Sequence, residues 1–70
     1  MNQLKVFYDR EGETLTVWFG DPSEEAVVEE TGDEVLLIKD AAGRVIGFEK
    51  LQFRVEHPEE LNVALERIGA

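Results

Sequence analysis

Two stretches near the N-terminus alternate with a period of two: in QLKVFYD, residues 3 to 9, Leu4, Val6 and Tyr8 alternate with Lys5 and Phe7, and in TLTVWF, residues 14 to 19, Leu15, Val17 and Phe19 alternate with Thr14, Thr16 and Trp18. Such alternation is the mark of a strand with one face turned to a core. Between them Asp9-Arg10-Glu11-Gly12 has room only for a tight hairpin turn. Pairing Val6 with either Leu15 or Val17 gathers the same six apolar side chains on one face, because parity fixes the face even where register is open.

Gly20-Asp21-Pro22-Ser23 then breaks the chain, since proline lacks a ladder donor and glycine admits turn conformations. A third strand is expected over residues 26 to 31, turning at Gly32-Asp33 into a fourth over residues 35 to 40. Asp40-Ala41-Ala42-Gly43 reads as a type I turn closed by a left-handed glycine, the start of another hairpin. That hairpin sets Ile38 opposite Ile46, Leu36 opposite Phe48 and Leu37 opposite Gly47. Gly47 would then leave a hollow beside Val35, Leu37, Val45 and Leu51, which a bulky group could fill or a bulge could absorb.

The tail, HPEELNVALERIG, carries helix signals: Pro58 in the first turn, Glu59 and Glu60 toward the dipole, Gly69 at the end, and a stripe of Leu61, Ala64, Leu65 and Ile68. A helix of about three turns is marginal alone in water, so the stripe is expected to pack on the sheet. The fold class is therefore α+β, an antiparallel β-meander of about five short strands with a C-terminal helix packed on one face. Residues 1–70 read as a single domain.

The 70 residues include no cysteine, so neither disulfides nor thiolate metal sites support so small a core. With no signal-peptide pattern and no apolar run of about 20 residues, a cytoplasmic location and no membrane partner are expected. The formal charge of −9, from 16 acidic and 7 basic residues, disfavours direct nucleic-acid binding. Much of the excess lies in Asp21, Glu24, Glu25, Glu29, Glu30, Asp33 and Glu34, a stretch without Lys or Arg. Glu24, Glu25, Glu29 and Glu30 make it either a solubilising edge or a docking surface for a basic partner.

Chemistry-bearing patterns are sparse. Ser23 has no histidine nearby in sequence and His57 precedes a helix start, so no nucleophile and base pair emerges. Asp9, Glu11 and Glu13 mimic alternating calcium ligands but lack the twelve-residue frame. The six glycines are scattered, with no phosphate-cradle spacing. No catalytic, metal or cofactor residue is assigned and no cofactor is expected. Phe7 and Trp18, with Gly47, are instead candidate interface residues, because aromatics on the face opposite the first hairpin's apolar set suit a contact.

YDREGETLTV, with Tyr8, Asp9, Glu11 and Leu15, and DAAGRVIGFEKL, with Asp40, Gly43, Arg44, Gly47, Glu49 and Leu51, resemble a family of short prokaryotic proteins grouped as a domain of unknown function. Its members read approximately Y-D-P-E-x-D-A-L-Y-I and D-x-x-G-R-I-V-G-I-E-I-L. The chain departs from that pattern at Arg10, Trp18, Lys50 and the tail. The resemblance implies a small antiparallel sheet in a cytoplasmic protein with no established activity. It also implies a possible link to small ribonuclease-like toxins, beside which members are sometimes encoded. The expected function is a non-enzymatic protein-interaction module that forms a homo-oligomer. The alternatives are an antitoxin-like acidic inhibitor of a small basic ribonuclease-type toxin, with that basic protein as partner, and a minor metal-binding or enzymatic role.

Overall fold

The computed structural model describes residues 3–69. Five strands, β1 (Lys5–Asp9), β2 (Thr14–Trp18), β3 (Val27–Glu30), β4 (Val35–Lys39) and β5 (Val45–Lys50), form one antiparallel sheet. The spatial order is β1-β2-β5-β4-β3, so β5 is central and the chain is not a simple meander. The connection from β2 to β3 passes the ends of β5 and β4 through a 3₁₀ turn, Pro22–Glu24. Asp21 caps that turn by accepting from the Ser23 N–H at 2.9 Å and its hydroxyl at 2.8 Å. These two bonds lower the Asp21 pKa, the backbone bond contributing most.

The hairpin turns form as their residues dictate. The Asp9 carboxylate accepts from the Gly12 N–H at 3.1 Å, closing the β1–β2 turn. Between β4 and β5, Gly43 takes φ +84° and donates to the Asp40 carbonyl at 3.0 Å. The Asp40 side chain, buried at 6% exposure, accepts from the N–H groups of Ala42 (3.0 Å) and Arg44 (2.9 Å) and from Arg44 Nε (3.0 Å). Asp40 thus ties its loop together, and its pKa is lowered, first by the Arg44 backbone bond.

The expected register after this loop is corrected by one residue. Ile38 pairs with Gly47, Leu37 with Phe48 and Leu36 with Glu49, because the ladder shifts between Ile38 and Lys39 and leaves Ile46 without a partner on β4. The Ile46 carbonyl instead accepts from both Phe19 and Gly20 N–H, each at 2.9 Å, anchoring the end of β2. An inserted residue moves every later side chain to the other face. Gly47 therefore lies in one row with Lys5, Trp18, Ile38 and Val28, and not beside Leu37. Trp18 fills the space above it: a Cβ at Gly47 would stand 3.1 Å from Trp18 Cε3 and 2.7 Å from the Val17 carbonyl oxygen.

The C-terminal helix is not present, so the fold among the described residues is an all-antiparallel sheet with two 3₁₀ turns, not α+β. Pro58–Glu60 makes one 3₁₀ turn, closed by Glu60 and Leu61 N–H donating to the carbonyls of His57 and Pro58 at 2.9 and 3.1 Å. Leu61 leaves helical space at φ −70°, ψ 124°. The Asn62 side chain donates to the Glu60 carbonyl at 3.2 Å, a local bond that competes with a continuing helix. Without tertiary packing, a three-turn stripe cannot offset the cost of helix nucleation.

Gly47→Ala should lower stability by about 1–3 kcal/mol, because the Val17 carbonyl cannot withdraw without breaking the β2–β5 ladder. Denaturant unfolding followed by Trp18 fluorescence measures it, and an unchanged midpoint would contradict the tight fit. Asp40→Asn should be less stable than the parent at neutral pH. The depressed carboxylate pKa means this advantage is full above about pH 4 and lost as pH falls through the folded value, so the difference in melting temperature should narrow in acid.

Candidate functional site

Directly opposed residues share a face, and successive residues alternate. The registers therefore place Val6, Tyr8, Leu15, Val17, Phe48, Leu37, Val35 and Val27 on one face, and Phe7, Trp18, Gly47, Ile38, Leu36 and Val28 on the other. The first set is the larger apolar surface and none of its members is buried: Val6 and Val27 are 37% and 54% exposed and the other six are half-buried. The buried hydrophobic residues are Ile38 and Ile46. Val17, Phe48 and Leu37 form a continuous row across β2, β5 and β4 at the centre of the uncovered face.

Charged pairs border this row. Lys39 and Glu29 form an ion pair between β4 and β3, and Lys50, which lies between Leu15 and Val35, stands 3.6 Å from Glu34 and donates to the Leu51 carbonyl at 2.7 Å. At the β1–β2 end the Arg54 guanidinium binds Glu13, one bond at 3.3 Å, which lowers the Glu13 pKa and raises that of Arg54. The Tyr8 and Phe53 rings meet edge-on with centroids 5.9 Å apart, and the Phe53 N–H donates to the Glu13 carbonyl at 2.7 Å. An apolar centre with paired charges around it has the anatomy of a protein-contact surface.

The interface residues expected from sequence lie on the opposite face. Phe7 is 56% exposed, Trp18 is half-buried, and Gly47 is buried beneath the indole, contributing the hollow that seats it. Glu24, Glu25, Glu29 and Glu30 are exposed along the β3 side, with Glu29 engaged by Lys39. The sequence reading missed the row of Val17, Phe48 and Leu37 because the bulge at Ile46 shifts β4 by one residue against Gly47 and Phe48, bringing Leu37 opposite Phe48. Oppositely charged Glu29 and Lys39, on strands expected to be adjacent, were the available signal for its border.

The other candidates are engaged locally. Asp9 serves the hairpin turn and Glu13 binds Arg54, so the alternating acidic triplet is not gathered around one point. Ser23 donates its hydroxyl to Asp21, while His57 Nδ1 lies 3.7 Å from Glu59 Oε1 with both side chains exposed. No group of three or more His, Cys, Asp or Glu is arranged to hold a metal ion among the described residues. Among the described residues no helix is long and apolar enough to cross a membrane.

The family model described as "Protein of unknown function (DUF2283)" matches residues 5–54, which span all five strands and the Phe53–Tyr8 closure. The chain belongs to that family. No curated protein and no solved structure matches it. Within the DUF2283 segment, the residues behind the resemblance serve the fold: Asp9 and Asp40 close turns, Gly47 seats Trp18, and Glu49 accepts from the Thr16 hydroxyl at 3.4 Å.

Proposed function

We propose that this DUF2283 protein is a non-enzymatic interaction module that self-associates by stacking the apolar faces of two sheets. The uncovered row of Val17, Phe48 and Leu37 is the observation that carries this reading. A sheet with an apolar face needs a second layer, and two such faces packed about 10 Å apart make a sandwich. The surface area supports the same reading. The chain exposes 5842 Å², whereas a compact 70-residue monomer exposes about 4,400 Å². The difference exceeds the roughly 800 Å² that each partner buries in a standard interface. Its radius of gyration, 13.4 Å, likewise exceeds the roughly 11 Å of a compact chain of this length.

A second reading, an antitoxin-like inhibitor of a basic ribonuclease-type toxin, is favoured by the exposed carboxylates of Glu24, Glu25 and Glu30. Its binding would weaken steeply with salt, unlike the apolar contact. The two uses occupy different surfaces and are compatible.

Sedimentation equilibrium at tens of micromolar should give a dimer mass that persists at high salt. Val6→Asp, at an already exposed position of the apolar face, should weaken the dimer at least tenfold while retaining the sheet's circular dichroism. Val28→Ser on the other face, exposed on β3, should leave the dimer intact. A monomeric parent, or a dimer sensitive only to Val28→Ser, would overturn the face assignment.

A further inference from the structure

The tail supplies an observation separate from the face. From Leu61 to Gly69 the chain runs without helix, turn or bend. Leu61, Val63 and Leu65 alternate along it at 36%, 70% and 73% exposure, and Ile68 is 97% exposed. An exposed segment with alternating apolar residues and no ladder partner can add as a strand to a sheet edge. We propose that residues 61–69 are an exchange arm that adds as a strand to the β1 edge of a second copy of this chain. The inference rests on the self-association proposed above and names a further contact through which it occurs.

Three features select that edge and that occupant. Among the described residues β1 pairs only with β2, leaving its outer row of backbone donors and acceptors open, and Leu4, Val6 and Phe7 are exposed along it. β1 and the turn after it carry Lys5 and Arg10 against Asp9, Glu11 and Glu13, the last bound by Arg54, and so repel an arm preceded by Glu59 and Glu60 less than β3 does. The other open edge, β3, is flanked by Glu24, Glu25, Asp33 and Glu34 and itself carries Glu29 and Glu30, which repel such an arm.

The arm starts beside the β1–β2 hairpin. Phe53, bonded to Glu13 and resting on Tyr8, fixes the chain beside the β1–β2 hairpin, on the same face that stacks against the partner. The 3₁₀ turn Pro58–Glu60 follows, with Pro58 beside Tyr8, Arg10 and Glu13, and the arm begins directly after it. At about 3.3 Å per residue the arm reaches roughly 30 Å, enough to cover all five residues of β1. Two copies related by a twofold axis would each give and receive one arm, an isologous arrangement that closes.

The test uses the full chain with benzoylphenylalanine in place of Leu65, mixed as nitrogen-15-labelled and unlabelled protein, irradiated and mapped by mass spectrometry. The expected product joins position 65 to residues 4–9 of a chain carrying the other isotope. Val63→Pro, which removes a ladder donor, should raise the dimer dissociation constant by up to about tenfold. If sedimentation still shows a dimer while cross-links stay within one chain, fall on β3 or do not form, the arm is overturned and the face contact stands. A parent that sediments as a monomer overturns both.

Discussion

β5 bonds on both sides, to β2 and to β4, and the alignment of those two ladders decides which side chains meet on which face. The displaced Ile46 sets that alignment. Its carbonyl holds the end of β2 through Phe19 and Gly20, while the ladder to β4 skips it. From this one irregularity follow the row of Trp18, Gly47 and Ile38 on one face and the row of Val17, Phe48 and Leu37 on the other. Gly47 is the residue that permits it, since a side chain there would strike the Val17 carbonyl and the indole.

The polar residues that stand out in the sequence mostly hold this frame. Asp9, Asp21 and Asp40 each turn a carboxylate onto backbone N–H groups of a tight turn, the role in which a short acidic side chain substitutes for a missing ladder partner. Their bonds go to the fold, leaving the apolar face and the acidic edge as the surfaces with unused binding capacity. In a chain this small the absence of a second layer is the dominant energetic fact, because hydrophobic burial is roughly proportional to area and here little apolar area is fully buried.

The strands and turns were legible in the sequence because they depend on local rules. Alternation around Val6 and Val17 gave the first hairpin, and Asp40 through Gly43 gave the loop with its left-handed glycine. The hollow at Gly47 was legible as a place for a bulky group, and Trp18 fills it. The central position of β5 and the Ile46 bulge were not legible, since both depend on pairing between residues nearly thirty apart. The helix expectation failed for a related reason: Leu61, Ala64, Leu65 and Ile68 satisfy a helical stripe, while Leu61, Val63 and Leu65 equally satisfy a strand. Periodicity over nine residues fits both, and it is tertiary packing that decides between them.

In the proposed dimer a second copy of this chain supplies the layer over Val17, Leu37 and Phe48. An isotope-filtered nuclear Overhauser experiment on a mixture of carbon-13-labelled and unlabelled protein observes that layer directly. Intermolecular contacts are expected from the Val17 and Leu37 methyl groups to the Phe48 ring of the other copy, with none to Trp18. A mixture whose intermolecular signals are absent from this face, or cluster at Trp18 instead, would contradict the stacked arrangement.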